Sequence, residues 1–211
     1  MDRKHNNKGV SLVEVLIALA IGCIVLSALV LLIQQSVKGY TKQTISAQLQ
    51  NDADITLNQM ENDVMEANVL LLNKAGAYPY ILTKEKDGKY SGYVYSKDEK
   101  TIYYVEELPD VKGVAGFSGK SLVCDHVDSF DFYISENSLG FDGNGSNPAV
   151  TSVGPNIRVE ISLGLTRQST QRSVTRQILT RNKLSDSQVL ITTDRHNLVG
   201  KLKSDILEYC K

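Results

Sequence analysis

The sequence predicts an α+β fold: one long N-terminal α-helix, its first half membrane-spanning and its second half amphipathic, packed on an antiparallel β-sheet head. Three observations carry this. From Val10 to Ile33 the only charged residue is Glu14, and everything else is apolar or small. At about 1.5 Å per residue such a run reaches roughly 36 Å, enough for a hydrocarbon core of about 30 Å. Next, Ile45, Leu49, Ala53, Leu57, Met60, Val64, Ala67 and Leu71 recur in steps of four and three, one face of an amphipathic helix. Beyond them the apolar period drops to two, most clearly in Val127 to Ser135 and in Asn156 to Thr166. That alternation marks an antiparallel sheet with one buried face.

Taken in order, a short polar leader, Met1 to Gly9, carries Arg3, Lys4 and Lys8 against Asp2. Its positive charge assigns it to the cytoplasm and the bulk of the chain to the other side. From Gln34 to Leu72 there is no proline and one glycine, Gly39, so the helix continues past the apolar run. It is expected to end near Asn73-Lys74-Ala75-Gly76, with Gly76 as its cap and Pro79 soon after. Tyr90 to Ser96 and Thr101 to Glu106 read as a hairpin. Leu108 to Lys120, with Pro109 and three glycines, reads as loop. Phe130, Phe132 and Ile134 share one face of a strand. Ile157, Val159, Ile161, Leu163 and Leu165 share a face of the strongest one. Arg172 to Arg181 reads as a last strand, Val189 to Thr193 as a short edge strand, and Leu198, Leu202 and Ile206 as a short terminal helix.

A carboxylate inside an apolar span is costly and reads as functional by default. Lys8, Gly9, Ser11, Leu12, Glu14, Val15, Leu16, Ala18 and Leu19 together resemble the class III signal of type IV pilins and type II secretion pseudopilins. The family's usual first mature residue is phenylalanine, and here it is Val10. The resemblance implies a pilin-like fold and cleavage between Gly9 and Val10 by a prepilin peptidase. It further implies N-methylation of Val10 and a role in assembly for Glu14. The exported part looks like PilW-type minor pilins and J-type minor pseudopilins. The matching segments are LNQMENDVMEANVLL from Leu57, TIYY from Thr101, VDSFDFYI from Val127, NIRVEISLGL from Asn156 and LTRN from Leu179. The tail after Asn182 extends past that pattern. The chain is thus expected to divide into residues 1–9, a cleaved cytoplasmic leader; 10–33, a transmembrane helix; 34–75, its amphipathic continuation; 76–182, a β-sheet head; and 183–211, a C-terminal extension.

Composition narrows the function classes. The 211 residues suit one globular domain plus an anchor. Formal net charge is −1; without the leader the 23 Lys and Arg fall to 20 and the 24 Asp and Glu to 23, giving −3. Nothing is basic enough to make nucleic acid a main partner. No cofactor is implied. His5, His126 and His196 are isolated, and no HExxH, GxSxG, P-loop or CxxC pattern occurs, so catalysis is not expected. Cys23 reads as a small apolar residue of the membrane run. Cys124 and Cys210 lie in the exported part, where they are a candidate disulfide or two free thiols. Asp142, Asn144 and Ser146 place oxygens at alternate positions in a Gly-rich loop, like the opening of a calcium site, but the closing bidentate Glu is missing. That loop reads first as a hairpin connection, with calcium the weaker reading. Eight of the ten tyrosines fall between Tyr78 and Tyr133, as a strand-pairing set or as an adhesive surface.

Two functions remain. The first is a minor pilin or pseudopilin, a structural subunit of an extracytoplasmic pilus or of a related secretion or competence filament. Its partners would be other pilin or pseudopilin subunits, the prepilin peptidase, the cytoplasmic membrane and its assembly platform. It would start as a single-pass membrane protein with its head extracytoplasmic and finish in a cell-surface or periplasmic filament. The second is a membrane-anchored adhesin or binding module that joins no filament.

Overall fold

The computed structural model describes residues 11–84, 86–116, 119–143, 147–191 and 196–210. It has one long helix, α1 (Leu12–Glu66), followed by β-sheets, an α+β architecture. The chain forms two compact units, Met1–Ile45 and Ser46–Lys211.

The first unit contributes a bare helix. Its side chains are exposed along nearly the whole length, among them Leu16, Ile24, Leu31 and Ile33. Its most apolar stretch is unburied, and the helix is long and apolar enough to cross a membrane. Two of its hydroxyls are satisfied locally. Ser27 Oγ donates to the Cys23 carbonyl at 2.7 Å and Thr41 Oγ1 to the Val37 carbonyl at 2.9 Å. Back-bonding of this kind lets a hydroxyl sit in an apolar helix without an unpaired polar group.

In the second unit the helix turns one face inward. Leu49, Ala53, Leu57, Met60 and Val64 are all buried, as is Ile45 just ahead of this unit, which bears out the stripe read from the sequence as far as Val64; Ala67 and Leu71 lie past the end of the helix. The helix stops at Glu66 rather than near Gly76. Its last carbonyls are claimed from elsewhere: Met65 accepts from the Arg181 amide at 2.8 Å and Glu66 from Asn182 Nδ2 at 2.7 Å. Leu70, Leu71 and Leu72, each fully buried, then form β1 (Leu70–Asn73). Three consecutive buried leucines suit a strand covered on both faces and not a helical stripe. Gly76, with φ of 79°, serves the turn after β1 and caps no helix.

β1 is followed by β2 (Tyr80–Lys84), β3 (Tyr90–Ser96), β4 (Thr101–Leu108) and β5 (Lys120–Cys124). Four more strands come next: β6 (Val127–Ile134), β7 (Leu139–Phe141), β8 (Val150–Val153) and β9 (Arg158–Arg167). The chain closes with β10 (Thr170–Leu179), β11 (Val189–Ile191), β12 (His196–Asn197) and a one-turn helix, α2 (Lys203–Ile206). The expected single sheet is in fact three. A seven-stranded sheet runs β12-β11-β1-β2-β3-β4-β5, a three-stranded one runs β10-β9-β6, and β7 and β8 form a hairpin. The large sheet is mixed, because β1 pairs parallel with β11. β11 is therefore an interior strand and not the expected edge; β12 takes the edge.

Register sorts the large sheet into two faces. Leu71, Tyr80, Leu82, Val94 and Val105 belong to one core cluster, closed by Leu108, Val111 and Val114. The opposite face carries the cross-strand row Leu72, Ile81, Tyr93 and Tyr104 and turns toward the second half of α1. There Tyr93 Oη donates to Asp63 Oδ2 at 2.7 Å. The small sheet meets the same helix segment through arginines four apart on β10. Arg172 Nε donates to Ser46 Oγ at 2.6 Å; Arg176 reaches the Asn58 side chain, Glu61 at 3.1 Å and Asp54 at 3.5 Å.

Asp63 gives the head a pH signature. Burial raises its carboxyl above the usual range, the Tyr93 hydrogen bond pulls it back in part, and Glu66 adds to the rise. A carboxyl held up in the folded state favours folding while protonated, and that contribution is lost as the pH rises through its raised pKa. The Asp63→Asn variant keeps an acceptor for Tyr93 and should flatten the fall in melting temperature between mild acid and neutral pH. Identical pH slopes for variant and parent would exclude this role.

Candidate functional site

The sequence-predicted site sits at the start of α1. Gly9 and Val10 lie outside the described residues. Ser11 supplies the first carbonyl of the helix, accepting from the Glu14 amide at 3.0 Å and the Val15 amide at 3.2 Å. Glu14 thus lies in the first turn, where the helix dipole favours a carboxylate, and it is exposed. Ala18 and Gly22 follow at four-residue steps on its face, with Val15, Leu19, Cys23 and Leu26 alongside. A Cβ built at Gly22 meets nothing within 4 Å. Small side chains below an acidic one let a second helix approach closely, the usual way helices associate in lipid.

The candidate disulfide is not made: Cys23, Cys124 and Cys210 are all free. Cys124 ends β5, and its Sγ donates to the Asp125 carbonyl at 3.5 Å, with Thr56 and Asp52 of α1 nearby. Cys210 instead pairs with Ile134 of β6 near Glu136, Lys203 and Lys74. Burial pushes both thiols up to about 11, the reverse of an activated thiolate. Maleimide should therefore label both only after denaturation, with no reductant needed. A requirement for reductant would mean a bond between them. His126, two residues from Cys124, has φ of 59° and turns its Nδ1 to Asp125 Oδ1 at 2.8 Å.

The Gly-rich loop joins β7 to β8, as a hairpin connection. Asp142 closes it, accepting from the Ala149 amide through Oδ1 at 2.6 Å while its own amide donates to the Ala149 carbonyl at 3.0 Å. Asn144 and Ser146, the other two oxygens of the calcium reading, lie outside the described residues. Among the described residues no cluster of three His, Cys, Asp or Glu side chains is placed to hold a metal.

The tyrosines between 78 and 133 stitch the head together. Tyr80, Tyr90, Tyr93 and Tyr95 are buried, and Tyr78, Tyr103, Tyr104 and Tyr133 are half-buried. Tyr95 Oη donates to the Val127 carbonyl at 3.1 Å, linking the large sheet to the small one, and its ring meets Phe130 edge-on at 6.1 Å. Tyr133 receives the Lys74 ammonium 3.4 Å from its ring centroid. Sequence reading missed Lys74. Burial lowers its pKa, against the pull of Asp131 at 3.8 Å, and the Tyr209 hydroxyl accepts from its amide at 3.2 Å. No local pattern marks this lysine, because its partners come from residues 131–133 and 208–210.

No curated protein and no solved structure matches the chain. Residues 4–30 match the family model for the prokaryotic N-terminal methylation motif. That segment takes in Lys8, Gly9, Val10 and Glu14, so the chain carries a prokaryotic N-terminal methylation motif over the stretch whose sequence resembles a class III signal.

Proposed function

We propose that the protein is a minor pilin or pseudopilin, a structural subunit of an extracytoplasmic type IV pilus or of a related secretion or competence filament. The observation that carries this is Glu14. It stands exposed, one turn into an unburied apolar helix, inside the methylation motif. A prepilin peptidase cuts between Gly9 and Val10, removing residues 1–9, and Val10 is methylated as the new terminus. Before assembly residues 10–33 span the cytoplasmic membrane with the head outside. Afterwards the helix packs among those of other subunits. The PilW-type or J-type subclass, suggested by the head segments, implies a low-copy position.

Processing separates this function from a fixed anchor. Cleavage frees the helix from its cationic flank and prepares it for extraction. N-terminal sequencing and intact mass of the native protein should give Val10 carrying a methyl group. A native protein that begins at Met1 would rule out filament assembly.

A further inference from the structure

Just past the apolar run, α1 carries a second feature. Between Ile33 and Asp52 the only charged residues are Lys38 and Lys42. Four residues apart on a helix, they share a face. Both are exposed, and neither makes an ion pair or side-chain hydrogen bond among the described residues. Tyr40 falls between them in the sequence and on the other side of the helix, 73% exposed. Thr41 is turned back onto the Val37 carbonyl and offers no competing donor.

Position and charge together point to a ligand. At about 1.5 Å per residue, Lys38 and Lys42 lie roughly 7 and 13 Å beyond Ile33. A bilayer of about 40–45 Å in total around a core of about 30 Å leaves each headgroup layer about 5–8 Å deep, level with Lys38 and about one helical turn short of Lys42. Lysine stems reach back along apolar surface to bring their ammonium groups to that layer, and tyrosine favours the same depth. The charge is also on the unexpected side. Arg3, Lys4 and Lys8 already mark the cytoplasmic flank, and cations on the far flank oppose that asymmetry. A negative partner at the outer surface offsets the opposition.

We propose that Lys38, Tyr40 and Lys42 form a collar that binds the phosphates of anionic phospholipid headgroups on the extracytoplasmic face while the subunit waits in the membrane. The collar rests on the membrane-spanning role of residues 10–33. It holds the helix at fixed depth and must be released when the subunit leaves for a filament.

The chain has no tryptophan, so Tyr40→Trp gives a unique fluorescent probe at the collar. The full-length variant goes into phosphatidylcholine vesicles with a minor fraction of phosphatidylglycerol, brominated near the headgroup on one lipid or the other. At equal mole fraction, brominated phosphatidylglycerol should quench in excess, reflecting local enrichment on the order of fivefold per lysine. High salt, or Lys38→Gln with Lys42→Gln, should abolish the excess. Equal quenching by the two lipids in the Tyr40→Trp protein overturns the collar. A separate Leu26→Trp protein, with its probe in the middle of the span, distinguishes the underlying failure. If deep-chain bromines quench the Leu26→Trp protein while the Tyr40→Trp protein shows no lipid preference, the collar alone falls. If deep bromines leave the Leu26→Trp protein unquenched, the membrane span falls and the collar with it.

Discussion

Glu14→Gln should be cleaved at Gly9 and fold its head normally, yet be lost from sheared filaments, falling to a tenth or less of the parental amount. On the proposed processing, Val10 would carry the new α-ammonium, four residues ahead of Glu14 in the sequence. Inside a bundle of such helices each charge needs a partner, because stranding one buried member of a pair costs about 3–5 kcal/mol. In the proposed filament, neighbouring subunits stacked with an axial offset would bring the Glu14 carboxylate of one to the Val10 ammonium of the next. Attraction strengthens only as both groups leave water, so the pair sets register at insertion rather than acting as general glue. Ala18 and Gly22, on the face of Glu14, provide the close approach that the pairing needs. Glutamine keeps the shape and removes the charge, so it isolates the electrostatic part. The measurement is a blot of sheared filaments beside the membrane fraction, in cells lacking the parental copy. Parental amounts of Glu14→Gln in the sheared fraction would rule the pairing out.

Gly92→Ala should be the most damaging single-methyl change in the head. Gly92 lies inside β3, where the pairing with β4 slips register, and has φ of 150°. Backbone at that φ is largely reserved for glycine and costs other residues about 1–3 kcal/mol. A Cβ there would also collide with the Ile81 carbonyl oxygen and lie 2.9 Å from Leu82 Cα, both backbone atoms of β2. Neither can move without breaking the β2–β3 ladder, and forced overpacking adds about 1–3 kcal/mol. The sum is about 2–6 kcal/mol, and at its middle, about 4 kcal/mol, a fall in melting temperature of roughly 8–16 °C for a head of this size. Gly88→Ala is the control. Its φ is 91°, but a Cβ there meets nothing within 4 Å, so only the backbone cost should appear. Equal losses for the two variants in full-length detergent-solubilised protein would show that the Ile81 collision does not matter.

The sequence carried the parts of the fold that local periodicity encodes. Leu49 to Val64 announced the inner face of α1, and the alternations at Val127 and Asn156 announced β6 and β9, because burial on one face imposes a period. What failed was long-range or two-sided. Leu70–Leu72 continued the helical pattern in composition, yet they form a strand buried on both faces, and a run of that kind has no period to read. Division into three sheets depends on which strands share hydrogen bonds, which no single strand records. The candidate site was legible because its signal is contiguous, from Lys8 to Leu19. That Cys124 and Cys210 both stay free was not, since whether two thiols meet is decided by packing far from either. Lys74 was invisible for the same reason.

The parallel pairing of β1 with β11 has a kinetic consequence. Leu70 meets Val189 across roughly 120 residues of intervening chain, a high-contact-order link of the kind that slows folding. Strands β2 to β5 are built from neighbours and can zip as they emerge, but β1 has one ladder edge open until residues near the C-terminus arrive. If the head is exported from N-terminus to C-terminus, as the proposed function requires, the large sheet stays unfinished until almost the whole head has crossed the membrane. Completion of the large sheet is thereby timed to the arrival of β11, and a chain that stalls before Val189 presents an exposed strand edge, the part of an incomplete sheet most prone to aggregate.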